Sequence, residues 1–321
     1  MDTTRALISV VIPCYNQGHY LGEAVSSAAS PRYRVEVIVV DDGSTDDTPQ
    51  VAARHPAVRY IRQTNQGLAA ARNRGLAEAQ GDLVIFLDAD DRLMPRGIDT
   101  GVHALTAASH CAMAYGRCVM IGPDGTGWPT PQQRRVLSGH HAVLLRTNPI
   151  WTPAMAIIRR SVLNELGGFA SGFDGSADYD LYLRLARSYN VYDHATTVAA
   201  YRRHDGSMSG SASRMLRDTL AVMQRHRPAD DETALHEAWR EGCEGWRDFY
   251  GTQLTEEIRD HVSERELLRA AEKAWTLGRY APEILRREAA RKIRTTLSRA
   301  TYAGRATPAT EIAAASRRAD V

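Results

Sequence analysis

The sequence predicts an α/β fold with a mostly parallel sheet flanked by helices and followed by a helical extension. Three observations predict it. Short β-branched apolar runs alternate with segments of helical spacing through residues 7–87. Polar, carboxylate-rich clusters follow directly on those runs. From Ser213 onward the pattern is almost wholly helical. Strict alternation of strand and helix implies right-handed crossovers and parallel pairing. Such open sheets take ligands in the crevice beyond the carboxyl ends of their strands.

Taken in order, residues 7–12, 35–40, 58–61 and 83–87 read as strands buried on both faces, because they are continuous apolar runs too short for helices. Residues 20–29, 47–54 and 68–79 carry helical spacing between them, with Thr45 or Asp46 as N-cap of the second. Residues 96–108 read as a helix and 113–121 as a further strand, and the Gly- and Pro-rich stretch 122–127 as a loop. Between 150 and 201 the chain mixes a short strand (154–158), a Gly167-Gly168-Phe169 turn and a helix (178–188). In the helical region Trp239, Trp246 and Trp275 read as core anchors, and no repeat of fixed period is visible. The expected domains are 1–212, with halves of about 1–121 and 122–212, a helical extension over 213–299, and a flexible basic tail over 300–321.

Composition narrows the function. Apolar residues make up 43% and charged residues 24% of the 321, as in an ordinary soluble domain, and a net charge of +2 gives no electrostatic reason to expect nucleic-acid binding. Four dispersed cysteines form neither a disulfide framework nor a metal-ligand pattern, which fits a reducing cytoplasm. No run reaches the length of a membrane span, and the opening apolar run lacks the flanks of a signal peptide. Residues 279–321 hold ten basic against four acidic residues. That stretch reads either as a solvated helix and tail or as a peripheral dock on an anionic membrane at its inner face.

Chemistry concentrates in Asp88-Ala89-Asp90-Asp91, at the end of an apolar strand. Three carboxylates gathered there repel one another unless a cation shares the site, and a divalent metal carrying a diphosphate is a natural reason to gather them. Alone, the motif is equally a solvated turn. Two further clusters, Pro13-Cys14-Tyr15-Asn16 and Asp41-Asp42-Gly43-Ser44, fall at other strand ends, so three segments converge on one crevice.

The series Ile8-Ser9-Val10-Val11-Ile12-Pro13-Cys14-Tyr15-Asn16, Val39-Val40-Asp41-Asp42-Gly43-Ser44, Asn65-Gln66-Gly67 with Ala71-Arg72-Asn73, Gly81-Asp82 leading to Asp88-Ala89-Asp90-Asp91, Gly167-Gly168-Phe169, Ala177-Asp178-Tyr179-Asp180 and Tyr201-Arg202-Arg203-His204 with Ser207-Met208-Ser209 resembles family-2, inverting nucleotide-sugar glycosyltransferases of the GT-A fold. The resemblance covers about residues 6–210. It implies a nucleotide-diphosphate sugar donor, UDP-linked by preference, an acceptor hydroxyl of unassigned identity, and Mn²⁺ or Mg²⁺. Pro13 and Tyr15, with Asn16, would form the base slot, and Asp42 with Asp41 would accept from a base N–H. Asn65, Gly67, Arg72 and Asn73 would lie along the ribose and phosphates.

By the same resemblance Asp90 is the prime metal ligand, Asp91 shares the ligation, Asp88 contacts ribose or metal-bound water, and His204 is a further ligand. Asp178 is the general base, on a helix whose Leu181 and Leu185 anchor it, although a capping role would suit the same position. Gly168 and Phe169 line the acceptor side. The family commonly carries an acidic residue before the base, and here Ala177 stands there, with Asp174 and Asp180 the nearest other carboxylates. The competing functions are a sugar-phosphate nucleotidyltransferase, which needs a Gly-rich loop after the first strand where Pro13–Gly18 stands, and a degenerate nucleotide-sugar-binding scaffold. The Trp-bearing helices offer a homodimer interface.

Overall fold

The computed structural model describes residues 6–287 and 290. In chain order the elements are β1 (Leu7–Cys14), α1 (Gly18–Ser27), β2 (Arg34–Asp41), α2 (Thr48–Ala53), β3 (Arg59–Arg62), α3 (Leu68–Glu78), β4 (Leu83–Phe86), β5 (Arg92–Leu93) and α4 (Gly97–Ala107). There follow β6 (Cys111–Ile121), β7 (Gly127–Trp128), α5 (His140–Arg146), β8 (Ala156–Arg159), α6 (Arg160–Glu165), α7 (Ala177–Ser188), β9 (Asn190–Arg202), α8 (Ala212–Arg225), α9 (Thr233–Ser263) and α10 (Leu267–Tyr280). One sheet holds all the strands in the order β3-β2-β1-β4-β8-β6-β9-β5, with β7 on β6.

The first half of the sheet is parallel: β2 and β4 flank β1, and β3 lies outside β2. The register brings Cys14 beside Asp41, so the carboxyl ends of β1 and β2 are level, while β4 ends at Phe86 beside Val11 and the aspartates that follow it run on toward the end of β1. Strand order reverses at β1, which opens the crevice there. Beyond β4 the sheet turns mixed, with β8 antiparallel to β4 and β6, and β6 parallel to β9. Ile8, Val10, Val11, Ile12, Ile38, Val39, Val40 and Val84 are all at 0% exposure. The expectation of strands buried on both faces fails for β3, an edge strand whose Arg59 and Arg62 are exposed and whose Tyr60 and Ile61 are only partly buried, and for the first half of β2.

The N-cap position of α2 is held by Asp47, where Thr45 or Asp46 was expected, and the Asp46 side chain serves two helices. Its Oδ1 accepts from Thr48 N (3.0 Å) and its Oδ2 from Gly18 N (2.9 Å), at the first turns of α2 and α1. The long strand β9 was not anticipated. Its apolar pattern is broken at Asp193-His194-Ala195-Thr196, where Ala195 takes a left-handed φ of 58° and the β6–β9 register shifts across bulges. A bulge inserts residues that spoil the two-residue alternation by which strands are recognised. Helix α5 falls in a stretch for which the sequence pattern predicts no element.

The chain divides into two compact units, 1–246 and 247 onward. The boundary therefore falls inside α9 rather than at 212. Helix α8 and the start of α9 belong to the first unit through Asp180 with His226 (2.9 Å), Trp239 Nε1 donating to Met223 O (2.6 Å), and Trp246 edge-on to Tyr179. In the second unit Leu254, Leu277, Ala281 and Ile284 are buried, whereas Trp275, expected as a core anchor, is 67% exposed. The tail at 300–321 lies outside the described residues, as does the basic stretch from 291. No helix among the described residues is long and apolar enough to cross a membrane.

Helix α3 sits close to the sheet because Gly75 faces β1. A Cβ there would overlap Val11 Cγ1. Gly75→Ala should raise helix propensity yet destabilise by about 1–3 kcal/mol, because overpacking a close contact outweighs the propensity gain. Chemical denaturation compares the two proteins, and a variant as stable as the parent would contradict the close packing.

Candidate active site

The crevice is built from the turns that leave β1, β2 and β4, from α3, and from α7 with the segment after β9. On the donor side, Pro13 is buried at the end of β1 and Tyr15 projects beyond it, half exposed. Asn16 adopts a left-handed φ of 52°, and its Oδ1 accepts from Thr45 N (2.8 Å) while its own N–H donates to Ser44 Oγ (3.0 Å). Asn16 thus stitches the first turn to the second.

The paired carboxylates of the second turn divide their work. Asp41 is wholly buried, accepting from Ser44 N (2.8 Å) and Tyr60 Oη (2.5 Å), so it braces the turn and does not face the crevice. Asp42 accepts from Gln66 N, Gly67 N (both 2.9 Å) and Gln63 Nε2 (2.8 Å), and so shapes the loop that carries exposed Asn65 into the start of α3. A carboxylate offers about four lone-pair positions, leaving Asp42 one for a ligand.

The three aspartates after β4 point three ways. Asp88 pairs with Arg72 Nη2 at 2.7 Å. Asp90 Oδ2 lies 3.0 Å from His204 Nε2, both partly exposed. Asp91 turns inward at 1% exposure, accepting from Thr152 Oγ1 (2.5 Å) and Arg202 N (2.9 Å). Burial and its neighbours Asp90 and Asp88 push its pKa well above the ordinary carboxylate value. Asp91 is therefore a structural acceptor, enclosed by Thr152 and Arg202, and does not face the crevice as the ligation expected of it would need. Among the described residues the trio that does close within 4.8 Å is His261, Glu264 and Glu266, on the second unit. In the crevice a cation would rely on Asp90, His204 and the phosphates it brings. A carboxylate and an imidazole converging from separate segments are a donor set that fits Mn²⁺ or Mg²⁺, with the imidazole favouring Mn²⁺.

Arg72 lies inside the crevice wall, 2% exposed, with its guanidinium 5.2 Å from the Phe169 ring centre and its Nε unpaired. Burial opposes its charge, but Asp88 and Asp178 outweigh that and raise its pKa. Asp178 stands in the first turn of α7, within electrostatic reach of Arg72 and Asp88, and its Oδ1 accepts from Tyr179 N (2.9 Å). Ser176 holds the N-cap position, so Asp178 is not spent on capping. Burial raises the Asp178 pKa, Arg72 opposes the rise, and Asp88 adds to it. Asp180 is turned away, bonded to Arg184 (2.8 Å) and His226.

On the acceptor side, Asn73 does not reach toward phosphates. It clamps the backbone of Phe169 from both sides, Nδ2 donating to Phe169 O and Oδ1 accepting from Phe169 N, each at 2.8 Å. Gly168 has a φ of 69°, and a Cβ on it would collide with Asn73. Asp174 presses on the start of α3, where a Cβ on Gly67 would lie 2.7 Å from its Oδ2. Sequence reasoning missed Arg202, Glu23, Tyr20 and Thr152. Their importance rests on contacts across more than 60 residues, and only the Tyr201-Arg202-Arg203-His204 string drew notice to one of them.

Residues 9–167 match the family model for Glycosyl transferase family 2. Chondroitin synthase of Escherichia coli is 30% identical over 56% of this chain and 26% of its own length. The O-antigen biosynthesis protein RfbC of Myxococcus xanthus is 30% identical over 64% of this chain and 16% of its own length. The chain thus spans about a quarter or less of these two relatives. Among solved structures, S. aureus TarS 1–349 in complex with UDP-GlcNAc superposes with a TM-score of 0.58 at 22% identity, covering 73% of this chain and 71% of that one. The mannosyltransferase PcManGT of Pyrobaculum calidifontis, in complex with GDP-Man and Mn²⁺, gives 0.58 at 19% identity over 88% and 87%. They share the fold, and the GT-A architecture expected from the sequence is the one observed.

The raised pKa of Asp178 has a stability consequence. A carboxyl whose pKa is higher folded than unfolded binds protons more tightly when folded, so stability falls as pH rises from the unfolded to the folded value. The penalty thus grows as pH rises above the ordinary carboxylate range. Asp178→Asn, keeping the acceptor for Tyr179 N, should therefore raise the Tm at pH 7, and the gain should vanish at pH below the ordinary carboxylate range. A pH series of thermal melts checks both limbs, and an Asn variant less stable at neutral pH would contradict the burial cost.

Proposed function

We propose that this chain, whose residues 9–167 match the family model for Glycosyl transferase family 2, moves a sugar from a nucleotide-diphosphate donor to an acceptor hydroxyl with inversion at the anomeric carbon. The observation that carries the proposal is the convergence of Asp90 with His204 and of Arg72 with both Asp88 and Asp178 at one group of strand ends. Tyr15 and Asp42 take the base, with Pro13 and Asn16 shaping the slot, and Asp88 takes the ribose. A UDP-sugar is the preferred donor by the resemblance of the motifs, and Asp42 offers an acceptor position for a base N–H, which uracil and guanine both present. Neighbours bound to UDP-GlcNAc and to GDP-Man support a nucleotide-sugar donor in general.

In the transfer, Asp178 accepts the proton of the acceptor hydroxyl as that oxygen attacks the anomeric carbon. The bond from that carbon to the diphosphate oxygen breaks on the opposite face. The raised pKa of Asp178 makes it a stronger base, and the rigid first turn of α7 holds it in place. Asp90 and His204 would hold Mn²⁺ or Mg²⁺, which when bound neutralises charge building on the departing diphosphate. Gly168 and Phe169, fixed by Asn73, bound the acceptor side. Relatives named for chondroitin and O-antigen synthesis support a glycan acceptor. Four buried free cysteines fit the cytoplasmic setting this proposal includes.

Incubation with a panel of nucleotide sugars and MnCl₂, reading released nucleoside diphosphate, tests the proposal. Slow donor hydrolysis should appear with one nucleotide class and disappear in Asp90→Ala. Once an acceptor is found, Asp178→Asn should retain donor affinity and lose transfer by about 10²–10⁴-fold. Pyrophosphate-dependent nucleotide exchange would replace this function with nucleotidyl transfer. Full transfer by the Asn variant would remove Asp178 as base.

A further inference from the structure

Arg202 is a deeply buried side chain, 1% exposed, in the segment that carries His204. Its bonds reach three other parts of the crevice wall. Nε donates to the backbone oxygen of Asp90 (2.7 Å), Nη1 to Pro123 O (2.8 Å) and Gly122 O (3.3 Å), and Nη2 to Glu23 Oε2 (2.7 Å). Its backbone N–H donates to Asp91 Oδ1. Its guanidinium carbon lies 4.5 Å from the centre of the Tyr20 ring, and that ring lies 5.1 Å from the imidazole of His204. Glu23 also takes Arg92 (3.3 Å), which donates to Gly125 O (3.2 Å), so the 122–125 turn joins the same frame.

We infer that Arg202 is the positioning residue that holds Asp90 and His204 in register as a pair of cation ligands. The inference rests on the ligand reading of those two residues given above. Asp90 and His204 come from segments 114 positions apart, and Arg202 bonds the backbone of one while packing on Tyr20, whose ring makes a tilted contact with the ring of the other. A planar fork with five donors does this from one point, whereas a lysine ammonium offers three donors on a flexible stem and no plane to stack. Partners that orient metal ligands typically carry about 10–100-fold in metal affinity.

The test is nucleotide binding with and without the cation. Wild type, Arg202→Lys and Arg117→Lys are titrated with UDP and with GDP, once in MnCl₂ and once in EDTA, and their Tm values are recorded. Arg117 forms a separate buried pair with Asp193 (2.8 Å) and serves as a destabilised control. The expected result is a Mn²⁺-dependent gain in affinity that falls about 10–100-fold in Arg202→Lys, with binding in EDTA unchanged. Arg117→Lys should lose Tm and keep the wild-type gain. Tyr20→Leu, which removes only the ring between Arg202 and His204, should reduce the gain in the same direction and covers the case in which Arg202→Lys does not fold. A wild-type gain in both Arg202→Lys and Tyr20→Leu, or losses that merely track Tm across all variants, would overturn the positioning role while leaving the ligands in place. Absence of any Mn²⁺-dependent gain in wild type would overturn the ligand reading itself, and this role with it.

Discussion

One buried guanidinium, that of Arg72, stands among the four carboxylates gathered at the crevice, while Arg202 fixes the backbone that carries two of them. Asp88, Asp90, Asp91 and Asp178 come from the end of β4 and the start of α7, and without counter-charge their mutual repulsion would favour protonation or splaying. Arg72 supplies charge between Asp88 and Asp178, while Arg202 binds the backbone of Asp90 and, through its own N–H, the side chain of Asp91. Buried charges are tolerated only when paired and hydrogen-bonded: Asp88 is paired with Arg72, whereas burial leaves Asp91 and Asp178 with raised pKa values. The unpaired Nε of Arg72 marks where that satisfaction is incomplete.

The same economy ties the two sides of the crevice together. Helix α3 begins at Gly67 under the carboxylate of Asp42, carries Arg72 to the donor side, and one residue later uses Asn73 to hold the Phe169 turn. Phe169 in turn packs edge-on to Phe86 of β4 at 4.7 Å, directly behind the aspartate cluster. One short helix therefore sets the position of Arg72 and of the Phe169 turn at once. Gly75, on the same helix, allows it to lie close enough to β1 to do so.

Asp180 and Asp178 show how one helix turn separates chemistry from support. Two positions along α7, Asp180 faces Arg184 and His226, and despite its burial these partners hold its pKa low. Asp178 has no such partner set, and its pKa rises. The carboxylate left under-compensated is the one placed toward the crevice, which is where a base is useful.

The sequence by itself determined the strands and helices of the first half, the strand-end location of the crevice, and the set of residues gathered around it. Those features are written in local periodicity and in short strings, and periodicity survives without any knowledge of contacts. It did not reveal β9, whose alternation is broken by bulges, nor the assignment of α8 and the start of α9 to the first unit. Above all it could not sort the carboxylates. Asp41 and Asp42, or Asp90 and Asp91, are chemically identical neighbours in a string, and only the fold decides which is enclosed by Tyr60, Thr152 or Arg202 and which is left facing outward. A side chain's role depends on which distant donors reach it, and that is fixed by tertiary packing alone.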